Sequence, residues 1–368
     1  MTPPLRIAIQ DLVVDERTKR TASADTEVWS LNLDQIESDS GRILSRVMMP
    51  TKALGPSTYP FEAGTVLYSK LRPYLNKVVV ADTDGYATTE LVPLKCDASR
   101  VLPSYLAYFL RSPEFLNFAN TVVAGAKMPR MVMGEFWQYK VPLPPLPEQR
   151  RIAGILDKAD ALRAKRGEAL AQLDHLARSI FVEMFGDPTR PESTGACPTS
   201  KVQLGNFVKI QTGKLDANAA VEGGAYPFFT CAVKSLEIDI AAFDCKAVLV
   251  AGNGDLNVKY YEGKFNAYQR TYVIQSTDEH RLLPKFLYQF LDLYVAELRK
   301  QAIGGVIKYI KLPYLTDAPL NIPAIEFQKE FVARFDAIAA ERKKLAEALA
   351  LSERLFLSVQ LRAFRGEL

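Results

Sequence analysis

The sequence predicts an α+β protein with two globular domains separated by two long helices, which pack as an antiparallel coiled coil and give an internal repeat with pseudo-two-fold symmetry. Three observations predict this fold class. A proline-rich segment precedes a long helical pattern near residue 144, both features recur near residue 321, and matching motifs lie upstream of each copy. The 368 residues, 48% of them apolar, are enough for two packed cores.

We therefore divide the chain into four segments. They are a globular domain at 1–143, a proline lead-in with the first long helix at 144–187, a second globular domain at 188–320, and the second long helix at 321–368.

The first lead-in reads "VPLPPLPEQ" at 141–149. Each proline fixes its own φ and pushes the residue before it toward extended conformations, so this segment cannot lie inside a helix. A helix can start at Pro147 or Glu148, where an early glutamate suits the positive end of the helix dipole. The helix should end at Phe185, because Gly186, Asp187 and Pro188 follow.

Apolar residues recur along both helical patterns in alternating steps of three and four, which is typical of a coiled-coil seam. Gln149 and Gln328 are equivalent, 179 residues apart, and the same offset relates Arg163 to Arg342, which interrupt the two seams. The predicted seam residues are Ile152, Leu156, Leu170, Leu173 and Ile180 in the first helix, and Phe331, Phe335, Ile338, Leu349 and Phe356 in the second.

The repeat extends into the globular domains, with small changes of offset. "YLAYFL" at 105–110 matches "FLYQFL" at 286–291, and Gly125 matches Gly304. Residues 65–80 match 247–262, which makes Lys77 equivalent to Lys259, and 85–94 match 267–276. Agreement of lead-in, seam and upstream motifs indicates an internal duplication.

Basic residues are interleaved with aromatic and amide side chains at similar places in both copies. The net charge of +4 permits nucleic-acid binding without demanding it, so the local pattern is the stronger signal. Lys and Arg suit phosphates, and planar polar groups suit base edges. The predicted DNA-binding residues are Lys70, Arg72, Tyr74, Lys77, Lys127 and Arg130 in the first domain, and Asn253, Lys259, Tyr268, Gln269, Arg270, Lys308 and Lys311 in the second.

The sequence does not favour a catalytic or metal site. Its two histidines have no evident nucleophile or ligand set around them, and the four cysteines lack metal-ligand spacing. "AGNGD" at 251–255 indicates a hairpin turn, while "EGK" at 262–264 with Asp255 is a weak match to a nuclease site. The absence of a signal-like start and of a membrane-length apolar run leads us to expect a cytoplasmic protein with no membrane contact.

The "PLPPLPEQRRIA" lead-in, the long helix behind it, "LRPYLNK", "YLAYFL" and the repetition of the whole arrangement resemble the specificity subunit of type I restriction-modification systems. The second lead-in, "NIPAIEFQ", departs from the pattern because it lacks the Glu-Gln pair. The resemblance implies two target-recognition domains that each read half of a split sequence in double-stranded DNA. It also implies docking of two methyltransferase subunits, which use S-adenosylmethionine, and of restriction subunits in the full complex. On this view the chain is not an enzyme and holds no cofactor.

Two other classes of protein remain open at this stage. A methyltransferase or nuclease would need a catalytic motif that we do not find in the sequence. A structural adaptor would use the helices as a coiled coil carrying two protein-binding domains, and it would not select DNA sequences. If the protein does read DNA, helices of roughly 38 residues, or ~57 Å, would act as a ruler between two half-sites.

Overall fold

The computed structural model describes residues 5–14, 25–190 and 192–368. The chain divides into two compact units, one of residues 1–167 with 347–368 and the other of residues 168–346. Both boundaries fall inside a long helix, at positions 179 residues apart, so each unit contains part of both helices. Each compact unit therefore consists of one globular domain together with the halves of the two long helices that belong to it.

The first unit contains several small sheets and three short helices. Its strands are β1 (Arg6–Ala8), β2 (Glu27–Leu31), β3 (Val47–Pro50), β4 (Thr58–Phe61), β5 (Val66–Ser69), β6 (Val78–Val80), β7 (Gly85–Thr88), β8 (Leu91–Leu94), β9 (Val123–Ala124), β10 (Arg130–Met131) and β11 (Lys140–Pro142). Its short helices are α1 (Pro103–Leu110), α2 (Pro113–Thr121) and α3 (Met133–Gln138), with 3-10 turns at Ile9–Asp11, Leu33–Gln35, Thr51–Ala53 and Pro73–Leu75. The strand orders are β3-β2-β7-β4, β6-β5-β8, β1-β11 and β10-β9.

The second unit is built around one six-stranded sheet of order β13-β18-β16-β17-β14-β15, with a separate β12-β19 pair. The strands are β12 (Thr199–Gln203), β13 (Val208–Thr212), β14 (Tyr226–Phe229), β15 (Leu236–Ile238), β16 (Phe243–Ala251), β17 (Val258–Ala267), β18 (Thr271–Ser276) and β19 (Pro319–Pro323). Helix α5 (Pro284–Gln301) packs on this sheet, α6 (Pro313–Thr316) precedes β19, and 3-10 turns lie at Leu204–Asn206 and Ala217–Ala219. The predicted hairpin turn at 251–255 connects the antiparallel strands β16 and β17.

The two long helices lie close to their predicted bounds. The first long helix is α4 (Leu146–Phe185) and the second is α7 (Ile325–Arg365). A glycine with positive φ, Gly186, follows the first helix and stops it as expected.

The helices pack antiparallel within each unit. In the first unit Ile152 and Leu156, near the start of α4, share a core with Phe356 and Phe364, near the end of α7. In the second unit Phe181, near the end of α4, packs against Phe331, near the start of α7, with ring centroids 5.3 Å apart. All ten predicted seam residues are buried or half-buried.

The ends of the seam also belong to the globular cores. The Phe356 ring packs against Tyr108 of α1, and Phe331 and Phe335 pack against Phe286 and Tyr288 of α5. At these ends the seam residues therefore pack on the globular domain as well as on the facing helix. The helices are thereby joined to the domains through continuous apolar contacts.

The arginine that interrupts each seam is satisfied in a different way in each unit. The Arg163 guanidinium lies 3.9 Å from the centroid of the Phe356 ring and donates to Asp160 at 2.6 Å. Its repeat equivalent, Arg342, donates to Asp174 at 2.6 Å. A cation over an aromatic face or beside a carboxylate can be held at a helix interface without leaving an unpaired charge.

A buried glutamine ties each proline lead-in to its globular domain. In the first unit Gln149 accepts a hydrogen bond from the Leu102 amide at 2.9 Å and donates to the carbonyls of Arg100 and Pro144 at 2.8 and 2.9 Å. The Leu102 amide precedes the start of α1, so one side chain joins the lead-in to a domain helix.

Gln328 makes the same three bonds in the second unit. It accepts from the Leu283 amide at 2.9 Å and donates to Arg281 and Pro323 carbonyls at 2.9 and 3.0 Å. Both glutamines are completely buried. This pairing confirms the equivalence on which the repeat was aligned.

Strand pairing corrects two parts of the upstream alignment. The Ser69 amide bonds to the Lys77 carbonyl and the Ala251 amide to the Asn257 carbonyl, so Lys77 is equivalent to Asn257 and its predicted equivalence to Lys259 is wrong. The loop between β16 and β17 is two residues shorter than the loop between β5 and β6. A similar two-residue shift makes Leu91, which pairs with Ser69, equivalent to Thr271, which pairs with Ala251.

Among the described residues, no helix is both long enough and apolar enough to cross a membrane. The four cysteines form no disulfide bond.

Candidate nucleic-acid interface

Two basic stretches that are distant in the sequence lie side by side in the first unit. Residues 70–77 and 125–131, here called the first paired loops, are joined by main-chain hydrogen bonds. The Arg72 amide donates to the Pro129 carbonyl at 2.7 Å, and the Met131 amide donates to the Lys70 carbonyl at 2.8 Å. Leu71 and Arg130 form the β-bridge between these bonds. The structure therefore brings together residues that the sequence analysis selected separately.

The second unit contains the same arrangement at equivalent positions. Residues 252–257 and 304–310, the second paired loops, are joined by a bond from the Gly254 amide to the Lys308 carbonyl at 2.9 Å and one from the Ile310 amide to the Gly252 carbonyl at 2.9 Å. Asn253 and Tyr309 form the bridge between them. Because these bonds use only main-chain atoms, the side chains on the two pairs of loops can differ.

A third segment borders each pair of loops. The Lys70 amide donates to the Glu90 carbonyl at 3.0 Å, and the Gly252 amide donates to the Arg270 carbonyl at 2.8 Å. Glu90 and Arg270 are therefore equivalent in the repeat, as are Arg130 and Tyr309. The scaffold is the same in both units, and the side chains that it presents are different.

The backbone of the first paired loops is unusual at two non-glycine residues. Arg72 and Asn76, which bracket the Pro73–Leu75 turn, both have φ of 50° in the left-handed region. Asn76 is buried and donates to Asp39 at 3.1 Å and to the Arg111 carbonyl at 3.2 Å, which explains its conformation. Arg72 is exposed, and a left-handed arginine costs roughly 1 kcal/mol or more, a strain that is typical of functional positions.

Glycine is required at the far loop of each pair. Gly125 has φ of 92° and Gly304 has φ of 115°, conformations that side chains other than hydrogen rarely adopt. A Cβ on Gly304 would lie 2.5 Å from the Ile307 carbonyl oxygen, and one on Gly125 would lie 3.2 Å from the Met128 oxygen. The predicted match of these glycines therefore corresponds to one turn occurring twice.

In the first unit, most predicted DNA-binding side chains lie at the surface. Arg72, Lys127 and Arg130 are exposed, Tyr74 is 52% exposed, and Lys70 is half-buried. Lys77 differs, because its ammonium donates to the Leu33 carbonyl at 2.6 Å and the side chain is half-buried. This hydrogen bond gives Lys77 a structural role in joining the β5–β6 hairpin to a neighbouring turn.

In the second unit, the exposed predicted residues are Gln269, Arg270, Lys308 and Lys311, with Asn253 and Tyr268 half-buried. The Gln269 amide donates to the Asp216 carboxylate at 3.1 Å, which orients the glutamine side chain.

Lys259 is half-buried and already bonded within the protein. Its ammonium donates to the Thr230 carbonyl at 3.4 Å and to the Asn257 side chain, and burial lowers its pKa. The predicted direct contacts of Lys77 and Lys259 with DNA thus compete with internal hydrogen bonds that both ammonium groups already make.

Arg130 makes a paired contact that the sequence did not reveal. Its Nε donates to both carboxylate oxygens of Glu90 at 3.1 Å, and its Nη2 donates to Oε1 at 2.8 Å. This hydrogen bonding raises the pKa of Arg130 still further. The two residues are 40 positions apart. Glu90 lies in the turn between β7 and β8, and the pairing of β8 with β5 brings it beside the first paired loops.

Among the described residues, no group of three or more His, Cys, Asp or Glu side chains could hold a metal ion. His175 lies within α4, where its Nδ1 is 3.1 Å from the Ser179 hydroxyl, and His280 lies in a turn. Asp255, considered with the "EGK" triplet, is 3.4 Å from Arg299. The surfaces best suited to a ligand are therefore the two pairs of loops, which present hydrogen-bond donors on a fixed main chain.

Comparison with known proteins supports a single family. The family model described as the type I restriction modification DNA specificity domain matches residues 56–172 and 199–350, one match for each copy of the repeat. The Type I restriction enzyme EcoDI specificity subunit of Escherichia coli is 38% identical over 182 residues, covering 48% of this chain and 40% of that protein. The MjaVIII specificity subunit of Methanocaldococcus jannaschii is 24% identical over 296 residues, covering 69% and 67%. The aligned part thus spans less than half of the first relative's length.

Two solved structures share the fold over nearly the whole chain. A chain from a study of complex assembly and conformational transition of the type I R-M system has a TM-score of 0.60 and 18% identity, and the match covers 100% of this chain and 99% of that one. The type I restriction-modification S subunit from M. genitalium also has a TM-score of 0.60, with 14% identity and 99% of each chain covered.

Proposed function

Since the chain belongs to the type I restriction modification DNA specificity family, we propose that it is the DNA sequence-specificity subunit of a type I restriction-modification complex. It reads an asymmetric, two-part target in double-stranded DNA and docks methyltransferase subunits, and through them restriction subunits. This role places it in the cytoplasm with the DNA.

The observation that carries the proposal is the recurrence of the paired loops with different side chains. Both pairs have the same three main-chain contacts, yet the equivalents of Glu90 and Arg130 in the first unit are Arg270 and Tyr309 in the second. Sequence is read by side-chain contacts to base edges, while main-chain and phosphate contacts fix position. Two units that differ at these positions should read two different half-sites, which gives an asymmetric target.

Exposed apolar residues on the second long helix support the docking of a protein partner. Leu351 and Leu355 are each 61% exposed, and Leu357 and Leu361 are 49% and 37% exposed. Each pair is four residues apart, so its members lie on one face of the helix. The two pairs lie on different faces of the helix, so they form two short apolar patches, and exposed apolar patches are typical of protein interfaces. We infer that two methyltransferase subunits bind the outer faces of the long helices.

We assign the chemistry to the partner subunits. In this scheme the methyltransferase subunit carries S-adenosylmethionine and turns an adenine out of the duplex, since an enzyme cannot reach its target atom inside the base stack. The present chain selects where this happens and performs neither methyl transfer nor cleavage.

The proposal is tested by reconstitution. The purified chain, a methyltransferase subunit encoded beside it, and both together are incubated with genomic DNA and S-adenosylmethionine, and methylated adenines are mapped by sequencing. Methylation at one two-part motif only when both proteins are present is the expected result. Methylation by the chain alone, or by the pair at random adenines, would contradict it, and binding of the partner without selection of DNA sequence would favour the structural adaptor.

The spacing between half-sites provides a second test. Four residues would be inserted after Arg166 in α4 and four after Leu345 in α7, which are equivalent positions in the repeat, so that the facing helices stay matched. The insertion adds ~6 Å of rise, and with 3.4 Å per base pair the preferred spacer should lengthen by about two base pairs while both half-sites stay the same. An unchanged spacer would mean that the helices serve only to dock partners.

A further inference from the structure

The hydrogen bonds between Glu90 and Arg130 use one edge of the guanidinium group and leave the other available. Nε and Nη2 face the carboxylate, while Nη1 has no hydrogen-bond partner among the described residues. The arginine side chain is 45% exposed and the glutamate 23%. The free edge, formed by Nη1 and the second hydrogen of Nη2, is therefore a pair of parallel donors held in a fixed plane.

We propose that Arg130 reads a guanine in the half-site bound by the first unit, with its Nη1 and Nη2 donating to O6 and N7, and that Glu90 is the positioning residue that holds the guanidinium plane. The inference rests on the proposed function and names one base of its target. Bidentate contact of arginine with these two acceptors is the commonest specific contact in the major groove.

The charge balance favours a base over a phosphate as the ligand. A carboxylate bonded through both oxygens cancels the arginine charge, which weakens the long-range attraction that phosphate contacts depend on. It leaves the directional donors intact and removes the rotational freedom that a lone surface arginine would lose on binding. A neutral, oriented pair therefore has a weaker attraction to phosphate and a more precise fit to a flat base edge.

The position of the pair in the fold agrees with this assignment. Arg130 pairs with Leu71 in the bridge that joins the first paired loops, next to the strained and exposed Arg72. In the second unit the equivalent positions hold Arg270 and Tyr309, so the buttressed arginine is absent there. The inferred guanine contact therefore belongs to one half-site only.

The experiment compares four variants of the full chain with their methyltransferase partner. Arg130→Gln removes the donors, and Glu90→Gln keeps the arginine charge while removing its carboxylate partner. The matched controls are Arg42→Gln and Glu37→Gln. Arg42 donates through the same Nε and Nη2 atoms to both Glu37 oxygens, with 48% and 35% of the two side chains exposed, but this pair lies outside the paired loops.

Each protein is used to select duplexes from a library randomised at both half-sites, and methylation rates are measured on single-base substitutions of the wild-type motif. Arg130→Gln should lower the preference for guanine at one position of one half-site by roughly 5- to 150-fold, as expected for one bidentate contact. Glu90→Gln should lower it at the same position by a smaller factor. Neither change should alter the second half-site, and the control variants should retain the wild-type motif.

Three results would overturn the inference. An unchanged motif in a folded Arg130→Gln protein would exclude a base contact. A uniform loss of methylation by Arg130→Gln over all sequences, together with tighter DNA binding by Glu90→Gln, would identify a phosphate contact. If Arg130→Gln instead lost its preference for a base other than guanine, Arg130 would contact that base and not guanine. If the wild-type pair of proteins selects no sequence at all, the proposed function has failed, and this outcome is separate from the three above.

Discussion

The buried glutamine that joins each proline lead-in to its domain should make a large contribution to stability. Replacing Gln149 with leucine keeps the approximate volume and removes three hydrogen bonds, one accepted from the Leu102 amide and two donated to carbonyl oxygens. Because the side chain is completely buried, water cannot replace these bonds. The orphaned amide lies in front of α1, where no intrahelical acceptor exists for it.

The expected cost follows from the number of groups left unpaired. A buried donor without an acceptor costs about 1–3 kcal/mol, and each of the two carbonyls loses one bond worth roughly 1 kcal/mol. We therefore expect Gln149→Leu to lower the free energy of unfolding of the first unit by about 3–5 kcal/mol. Gln328→Leu should cost the second unit a similar amount, since its three bonds have the same lengths to within 0.1 Å.

Urea unfolding followed by circular dichroism, with limited proteolysis to identify the unit that opens, measures this effect. Two transitions are expected in each variant, because the mutated unit should unfold before the other. Gln138→Ala is the control, since Gln138 is exposed and its side-chain amide donates to Gln10 at 3.1 Å. A Gln149→Leu protein within about 0.5 kcal/mol of wild type would refute the reasoning, because the three bonds would then contribute nothing net.

Two further predictions concern the loop glycine and the pH dependence of stability. In thermal unfolding, Gly304→Ala should lower the stability of the second unit by about 1–3 kcal/mol, because its φ is 115° and the added carbon would meet the Ile307 oxygen. Gly305→Ala is the control and should leave the stability unchanged, because a Cβ there has nothing within 4 Å. Hydrogen bonds from Arg42 lower the pKa of Glu37 below its ordinary 4.5. The ionised carboxylate therefore contributes stability above pH 4.5, and this contribution is lost as the pH falls through the lowered pKa of Glu37. The difference in urea midpoint between wild type and Glu37→Gln should therefore be larger at about pH 7 than at about pH 3, and an equal difference at both pH values would contradict the assignment.

The repeat and the long helices could be predicted because their signals are local or periodic. Proline cannot lie inside a helix, and a glycine with positive φ ends one. The three-and-four spacing of apolar residues is the same in both helices, because no residue has been inserted in either copy. The bounds at Leu146 and Phe185 agree with the sequence to within two residues. The repeat also predicted that Gly125 and Gly304 are equivalent, and their positive φ explains why glycine occurs at both places.

The remaining features depend on contacts between distant segments. The side chain that orients Arg130 is 40 residues away, and nothing in the local pattern around Glu90 distinguishes it from any exposed glutamate. The sequence predicts that Lys77 and Lys259 are equivalent, because both come after an apolar strand and a loop, but the loop of the second hairpin is two residues shorter and changes the register. Their internal bonds to carbonyl oxygens could not be predicted either, because the acceptors, Leu33 and Thr230, are 44 and 29 residues away.

The main-chain construction of the paired loops explains how the two halves of the repeat could diverge in what they bind. The bonds that hold residues 70–72 to 129–131, and 252–254 to 308–310, involve amides and carbonyls that every non-proline residue supplies. The exposed side chains at these positions take no part in these bonds, so a change such as arginine at 130 to tyrosine at 309 leaves the main-chain bonds intact. Met131 and Ile310, by contrast, are buried in the domain cores. The turn glycines are constrained by their φ, and Gly252 is constrained by space, because a Cβ there would lie 2.4 Å from the Arg270 carbonyl oxygen. A surface built in this way can acquire new side chains at its exposed positions while the main-chain bonds are kept, which is what a protein that reads two different half-sites with one repeated fold requires.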